Sequence, residues 1–188
     1  MINHGVSTGA LFLLVGIVYE RRHTRMIAEY GGLARQMPVY ATYFMIMALS
    51  SMGLPLLNGF IGEFTILQGA FAKSFWWAFF ACTGIVLGAA YLLWLYQRIF
   101  FGELANPANA KLPDLSFREQ LTLAPLVVLA FWIGLYPKPF FDVLRTPAEN
   151  IVRAVGGPVQ TAPAYASAPS AAPAGLTAPA AAAGATAR

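Results

Sequence analysis

Gly53-Leu54-Pro55-Leu56-Leu57-Asn58-Gly59-Phe60-Ile61-Gly62-Glu63-Phe64 is the stretch that decides how this sequence folds. It lies inside a run from Pro38 to Ala72 in which Glu63 is the one charged residue. A continuous helix over those 35 residues would be about 52 Å long, far beyond a hydrocarbon core of about 30 Å. Pro55 lacks a backbone donor and its ring collides with the preceding turn. The segment therefore predicts a helix broken near Gly53, Pro55 and Gly62. Breaks at membrane depth occur where the freed backbone faces protein or a hydrated cavity rather than lipid. The plainer reading is a tilted, proline-kinked helix without a function.

Outward from this stretch the pattern repeats. Gly5–Tyr19 carries no charge, and neither do Ser74–Gln97 (24 residues) and Gln120–Pro137 (18 residues). Each is close to the roughly 20 apolar residues that a spanning helix needs. The expectation is an all-α, polytopic membrane protein with about four transmembrane helices, near 1–19, 38–72, 75–97 and 119–137. Residues 138–155 read as an interfacial amphipathic segment, with Phe140, Phe141, Val143, Leu144, Ile151 and Val152 on one side. Residues 156–188 are rich in Ala and Pro, cannot bury a core and read as a disordered tail.

Composition agrees. Of the 188 residues, 58% are hydrophobic and only 11% charged, against about 25% charged in soluble domains. Mean hydropathy is +0.60. The net charge of +4 does not point to nucleic acid, because the basic residues flank apolar runs and set orientation. Arg21, Arg22, Arg25, Arg35, Arg98, Lys111 and Arg118 fall in loops expected on one side, against Lys73, Lys138, Arg145 and Arg153 on the other. Seven against four places the first set in the cytoplasm and the tail outside. Cys82, the single cysteine, excludes an internal disulfide and a thiolate metal site. The N-terminus has no basic region or cleavage pattern of a signal peptide. Its apolar run starts almost at Met1, as if a helix were entered partway, which suggests a piece of a longer protein.

Two residues carry the chemistry. Glu63 lies near the expected midplane, about 13–15 Å along a helix from Lys73. A charge there costs at least about 2.5–3.5 kcal/mol, so intramembrane carboxyl groups mark functional sites. A carboxyl group held where its charged form is disfavoured can load and release a proton. The competing reading is a carboxylate that caps the second half-helix. His4 shares one helix face with Ser7 and Thr8, at i, i+3 and i+4. A histidine there can relay protons at neutral pH or merely hydrogen-bond at a helix interface. Ser7, Thr8 and Asn58 are candidates to line hydrated space.

Several strings together resemble a known family. They are Asn3-His4-Gly5-Val6-Ser7-Thr8-Gly9-Ala10-Leu11-Phe12, Tyr19-Glu20-Arg21, His23-Thr24-Arg25, Gly31-Gly32-Leu33, Gly53-Leu54-Pro55, Phe60-Ile61-Gly62-Glu63-Phe64 and Tyr91 to Gly102. In this order they resemble, over about residues 1–150, the C-terminal part of the antiporter-like membrane subunits of proton-pumping NADH:quinone oxidoreductase, respiratory complex I. The match points to the subunit M type and its mitochondrial subunit 4 counterpart.

The resemblance implies a fragment of a fourteen-helix bundle built from two inverted repeats, here the eleventh to fourteenth helices, of which the twelfth is broken, in agreement with the reading of Pro55. It implies that Glu63 is the terminal proton-carrying residue of the second half-channel and His4 a central relay residue. It implies a multi-pass protein of the cell inner membrane with a periplasmic tail. Its partners would be the lipid bilayer and other membrane subunits of the complex, antiporter-like neighbours included. It implies no cofactor on this chain: flavin, iron–sulfur clusters and quinone sites belong to other subunits. Nothing in the chain matches the acidic and basic residues of the family's first half-bundle. The alternatives are a subunit of a cation/proton antiporter or membrane-bound hydrogenase, or an inactive truncated chain that only packs. A carboxylate such as Glu63 can also bind sodium.

Overall fold

The computed structural model describes residues 1–104 and 106–156. The described chain is all helical: α1 (Ile2–Arg22), the single turn α2 (Leu33–Gln36), α3 (Pro38–Ser51), α4 (Asn58–Lys73), α5 (Phe75–Phe100), α6 (Phe117–Leu135) and α7 (Lys138–Ala154), with short 3-10 turns at Ile27–Glu29 and Pro107–Asn109. By length and composition α1, α5 and α6 can each cross a membrane. The second apolar segment is divided into α3 and α4, of 14 and 16 residues, neither of which spans alone. The interruption runs from Met52 to Leu57 and contains Pro55. The tail read from 156 onward lies, from residue 157, outside the described residues.

Helices α1, α3, α4 and α6 pack on one another, and α5 lies against α3 and α4. Ala10 and Ala130 are fully buried, so backbones approach closely there, as membrane helices require without a hydrophobic drive between them. Larger side chains fill the rest. Tyr96 and Phe100 stack with ring centroids 4.3 Å apart, and Phe44 meets Phe100 at 5.0 Å. The two buried phenols have acceptors: Tyr40 donates to the Leu14 carbonyl at 3.0 Å and Tyr96 to the Ala41 carbonyl at 3.3 Å. Each bond crosses between helices and satisfies a hydroxyl that hydrocarbon would leave unpaired.

One end of the bundle is closed by charge. Arg21, at the end of α1, makes a two-pronged ion pair with Glu119 at 2.9 and 2.8 Å, and donates to the Pro113 and Asp114 carbonyls at 3.0 and 3.2 Å. Glu119 also closes a capping box with Ser116 at the start of α6. Asp114 accepts from the backbone N–H groups of Val39 and Tyr40 at 2.8 and 3.0 Å, placing a carboxylate at the N-terminus of α3 where free donors and the helix dipole favour it. The two basic loops meet at this end: Gly32 N–H donates to the Phe101 carbonyl at 3.1 Å, and Asn106 donates to Glu29 at 2.9 Å. The shared side that the charge count required is thus present.

The compact bundle ends at Leu144; the residues from Arg145 form a separate unit, of which the end of α7 is described.

Charge-assisted hydrogen bonds contribute about 1.5–3 kcal/mol each where they are partly shielded. Arg21→Ala removes the fork that holds α1 to α6 and leaves Glu119 unpaired. The expected loss is about 2–4 kcal/mol in a reversible unfolding titration in mixed micelles, with Arg21→Lys recovering less than half because a point charge cannot make both bonds.

Candidate functional site

The helix break sets the site. At the end of α3, Met52 N–H reaches the Ala48 carbonyl at 2.9 Å, Gly53 N–H the Ser50 carbonyl at 3.2 Å and Leu54 N–H the Leu49 carbonyl at 3.0 Å. The chain then turns through two left-handed residues, Gly53 (φ 73°) and Leu56 (φ 78°). A leucine in that region is strained, and its surroundings hold it there. Gly134 of α6 lies directly beneath the Leu56 carbonyl, and a methyl group on Gly134 would overlap it. Gly59 is in the same position under the Ser50 carbonyl, so the two half-helices touch backbone to backbone.

Three polar side chains close the gap. Ser50 and Asn58 are fully buried. Ser50 hydroxyl donates to Asn58 Oδ1, and Asn58 Nδ2 donates to the Asn3 carbonyl of α1 at 3.0 Å. Ser7 hydroxyl donates to the same carbonyl at 3.0 Å. The first turn of α1 is therefore fastened to the first turn of α4. Asn58, expected to line hydrated space, is spent on this fastening. The sequence does not mark Asn3 or Gly134 as site residues; the Asn3 contribution comes from its main chain, which its residue type does not announce.

Glu63 lies one and a half turns along α4 from Asn58, partly buried, with its carboxylate against the Cα of Gly53. Among the described residues no hydrogen bond or ion pair holds that carboxylate. It borders two cavities. One, of about 450 Å³, lies between α1, the break, α4 and α5, and is lined by His4, Ser7, Thr8, Leu11, Ser51, Glu63 and Tyr91 among others. The second, of about 250 Å³, lies between α4 and α5 against Ala81, Gly84 and Gly88. Ser51 borders both, and its buried hydroxyl has no partner among the described residues. His4 and Glu63 thus border one cavity beside the break, with Ser7 and Thr8 as polar groups on a largely apolar wall. Gly53 gives the cavity its bend and Gly62 lets Asn3 approach, since a methyl there would lie 2.8 Å from Asn3 Nδ2. Pro55 sits outside the cavity, exposed in the break. A carboxyl group without a fixed partner and an imidazole on one cavity can exchange a proton through water.

Residues 1–88 match the family described as NADH:quinone oxidoreductase/Mrp antiporter, transmembrane. The chain is 44% identical over 153 residues to the NADH-quinone oxidoreductase subunit M of Rhodobacter capsulatus, covering 81% of this chain and 30% of that protein. It is 43% identical over 153 residues to the NADH-ubiquinone oxidoreductase chain 4 of Marchantia polymorpha, covering 81% and 31%. Its fold is similar to a chain of respiratory complex I from Thermus thermophilus with bound NADH, with a TM-score of 0.73 and 38% identity over 82% of this chain and 32% of that one. The chain spans about a third of the length of the curated relatives it matches.

Gly59→Ala forces a methyl group into the Ser50 carbonyl and is expected to cost about 1–3 kcal/mol, the usual range for overpacking. Asn58→Leu leaves the Ser50 hydroxyl without an acceptor and is expected to cost about 1–3 kcal/mol. Both are read as reduced stability in detergent and reduced accumulation in the membrane. Asn58→Ser, which keeps a short acceptor, is expected to recover part of the loss.

Proposed function

We propose that the chain, whose residues 1–88 match the NADH:quinone oxidoreductase/Mrp antiporter transmembrane family, supplies the exit half of a proton path in the membrane arm of an NADH:quinone oxidoreductase. The observation that carries this reading is the placement of Glu63 and His4 on one cavity beside a broken helix. Glu63 takes a proton from water in the cavity, becomes neutral, and returns to the carboxylate when it gives the proton up. His4 accepts a proton at one ring nitrogen and releases one from the other, so it passes charge without keeping it. Ser7 and Thr8 supply the polar wall that keeps water between them. The break matters because it puts main-chain carbonyls and a bend beside an acid at membrane depth.

The chain works within a larger assembly in this reading. The remaining two thirds of the subunit provide the uptake half, and neighbouring antiporter-like subunits flank it. Electron transfer from NADH to quinone takes place on other subunits, with their flavin, iron–sulfur and quinone sites. The membrane is the cell inner membrane, with the Arg21 end cytoplasmic and the tail periplasmic, as the seven-to-four distribution of basic residues supports.

In the assembled complex, Glu63→Gln keeps the size of the side chain and removes its titration. Proton pumping and coupled quinone reduction are both expected to fall several-fold, with Glu63→Asp retaining part of each. Unchanged pumping and reduction, with assembly confirmed by native electrophoresis, would remove Glu63 from the path. The family description also covers Mrp antiporters. A strict requirement for sodium, with no link to quinone reduction, would move the assignment to a cation/proton antiporter subunit.

A further inference from the structure

The two sides of α5 differ in chemistry, and one of them reads the bilayer. Trp76, Phe80, Thr83, Leu87, Trp94 and Arg98 recur at spacings of three, four and seven residues, which keeps them on one face of the helix. Trp76 and Trp94 are 18 residues apart. That is five turns, about 27 Å along the axis, and returns to the same angular position. The interval matches the thickness of a hydrocarbon core, about 30 Å. Trp76, Phe80, Leu87 and Trp94 are each more than half exposed. The Arg98 guanidinium lies over the Trp94 ring, 5.0 Å from its centroid, and Lys73 stands three residues before Trp76.

We infer that this face of α5 is a lipid-facing surface, anchored at both leaflet boundaries, and that its partner is phospholipid rather than another helix. Three observations select that occupant. The first is the tryptophan pair at bilayer spacing, since the indole ring prefers the headgroup boundary. The second is charge: from Phe64 to Gly102 the only charged residues are Lys73 and Arg98, one cation at each end, which complements phosphate on both membrane surfaces. The third is side-chain size. Helices that meet other helices in a membrane present small residues and shared hydrogen bonds. Both glycines of α5, Gly84 and Gly88, together with Ala81, line the Glu63 cavity, whereas the opposite face carries one small residue, Ala90, among the large side chains. Of the two hydroxyls between the anchors, that of Tyr91 lines the His4 and Glu63 cavity, and that of Thr83, on this face, donates to its own helix at the Phe80 carbonyl, at 2.6 Å. It offers a partner helix no donor. This inference is independent of the proton role of Glu63.

The test uses a photoreactive p-benzoylphenylalanine placed singly at Leu87, midway between the anchors, and for comparison at Ile85 on the cavity side. The full-length chain is irradiated in the membranes of the cell that makes it, where any natural partners are present, and adducts are identified by mass spectrometry. Leu87 is expected to yield several-fold more acyl-chain adducts than peptide adducts, and Ile85 the reverse. Predominantly peptide adducts at Leu87, or no acyl adduct there, would overturn the proposal and assign the face to a protein neighbour. A chain that is not recovered with the photoreactive residue at Leu87 is replaced by one carrying it at Phe80, to which the same two outcomes apply.

Discussion

Everything in this chain depends on closing a gap in a membrane helix without water. Six residues, Met52 to Leu57, leave helical geometry inside an apolar segment, and each freed N–H or C=O costs several kcal/mol in hydrocarbon unless it finds a partner or a wet surface. The protein meets the constraint by contact rather than by sequence-local bonds. Gly59 brings α4 up to the Ser50 carbonyl, Gly134 brings α6 up to Leu56, and Asn58 joins Ser50 to the main chain of α1. Four separate segments are thus committed to one point. Bundle packing and the position of Glu63 follow from it, because Glu63 lies against Gly53 at the edge of the same gap.

The break also explains why a cavity exists where it does. A continuous helix would have filled that volume with side chains. The bend at Gly53 turns α3 away from α4 and leaves space bounded by the polar face of α1. Ser7 illustrates the economy of the arrangement. Its hydroxyl is bound to the Asn3 carbonyl, as is Asn58, so it stabilises the wall of the cavity while presenting oxygen to it. Ser51, by contrast, has a buried hydroxyl without a protein partner among the described residues.

The sequence carried the fold further than the site. Charge-free lengths found the apolar segments to within a few residues, because the bilayer imposes length and composition together. Pro55 located the interruption, since a missing donor is a local property. What closes the interruption was not legible, because the partners are far away in sequence and one of them is a backbone carbonyl. Asn58 illustrates this: an asparagine at membrane depth more often ties two helices or caps one than wets a cavity, and only its neighbours decide. Arg21 is a second case. Its sequence context marks it as an orientation signal, whereas in the fold it also binds Glu119, 98 residues away. Glu63 and His4 were each conspicuous alone, because ionisable residues in apolar runs are costly; that they share a cavity required the bundle.

The depth of Glu63 can be read along two helices. Along its own helix it lies ten residues before Lys73, about 15 Å from that end. Across the cavity it faces Gly84 and Gly88 of α5, eight and twelve residues past Trp76 and ten and six before Trp94. Those positions are about 12–18 Å from one anchor and 9–15 Å from the other. Both routes put the carboxyl group in the middle third of the span. A carboxylate at that depth is stable only beside polar space or in its neutral form. The cavity that the helix break opens is therefore a condition for Glu63 to exist there as an ion at all, and the small residues of α5 are what keep that cavity open on its far side.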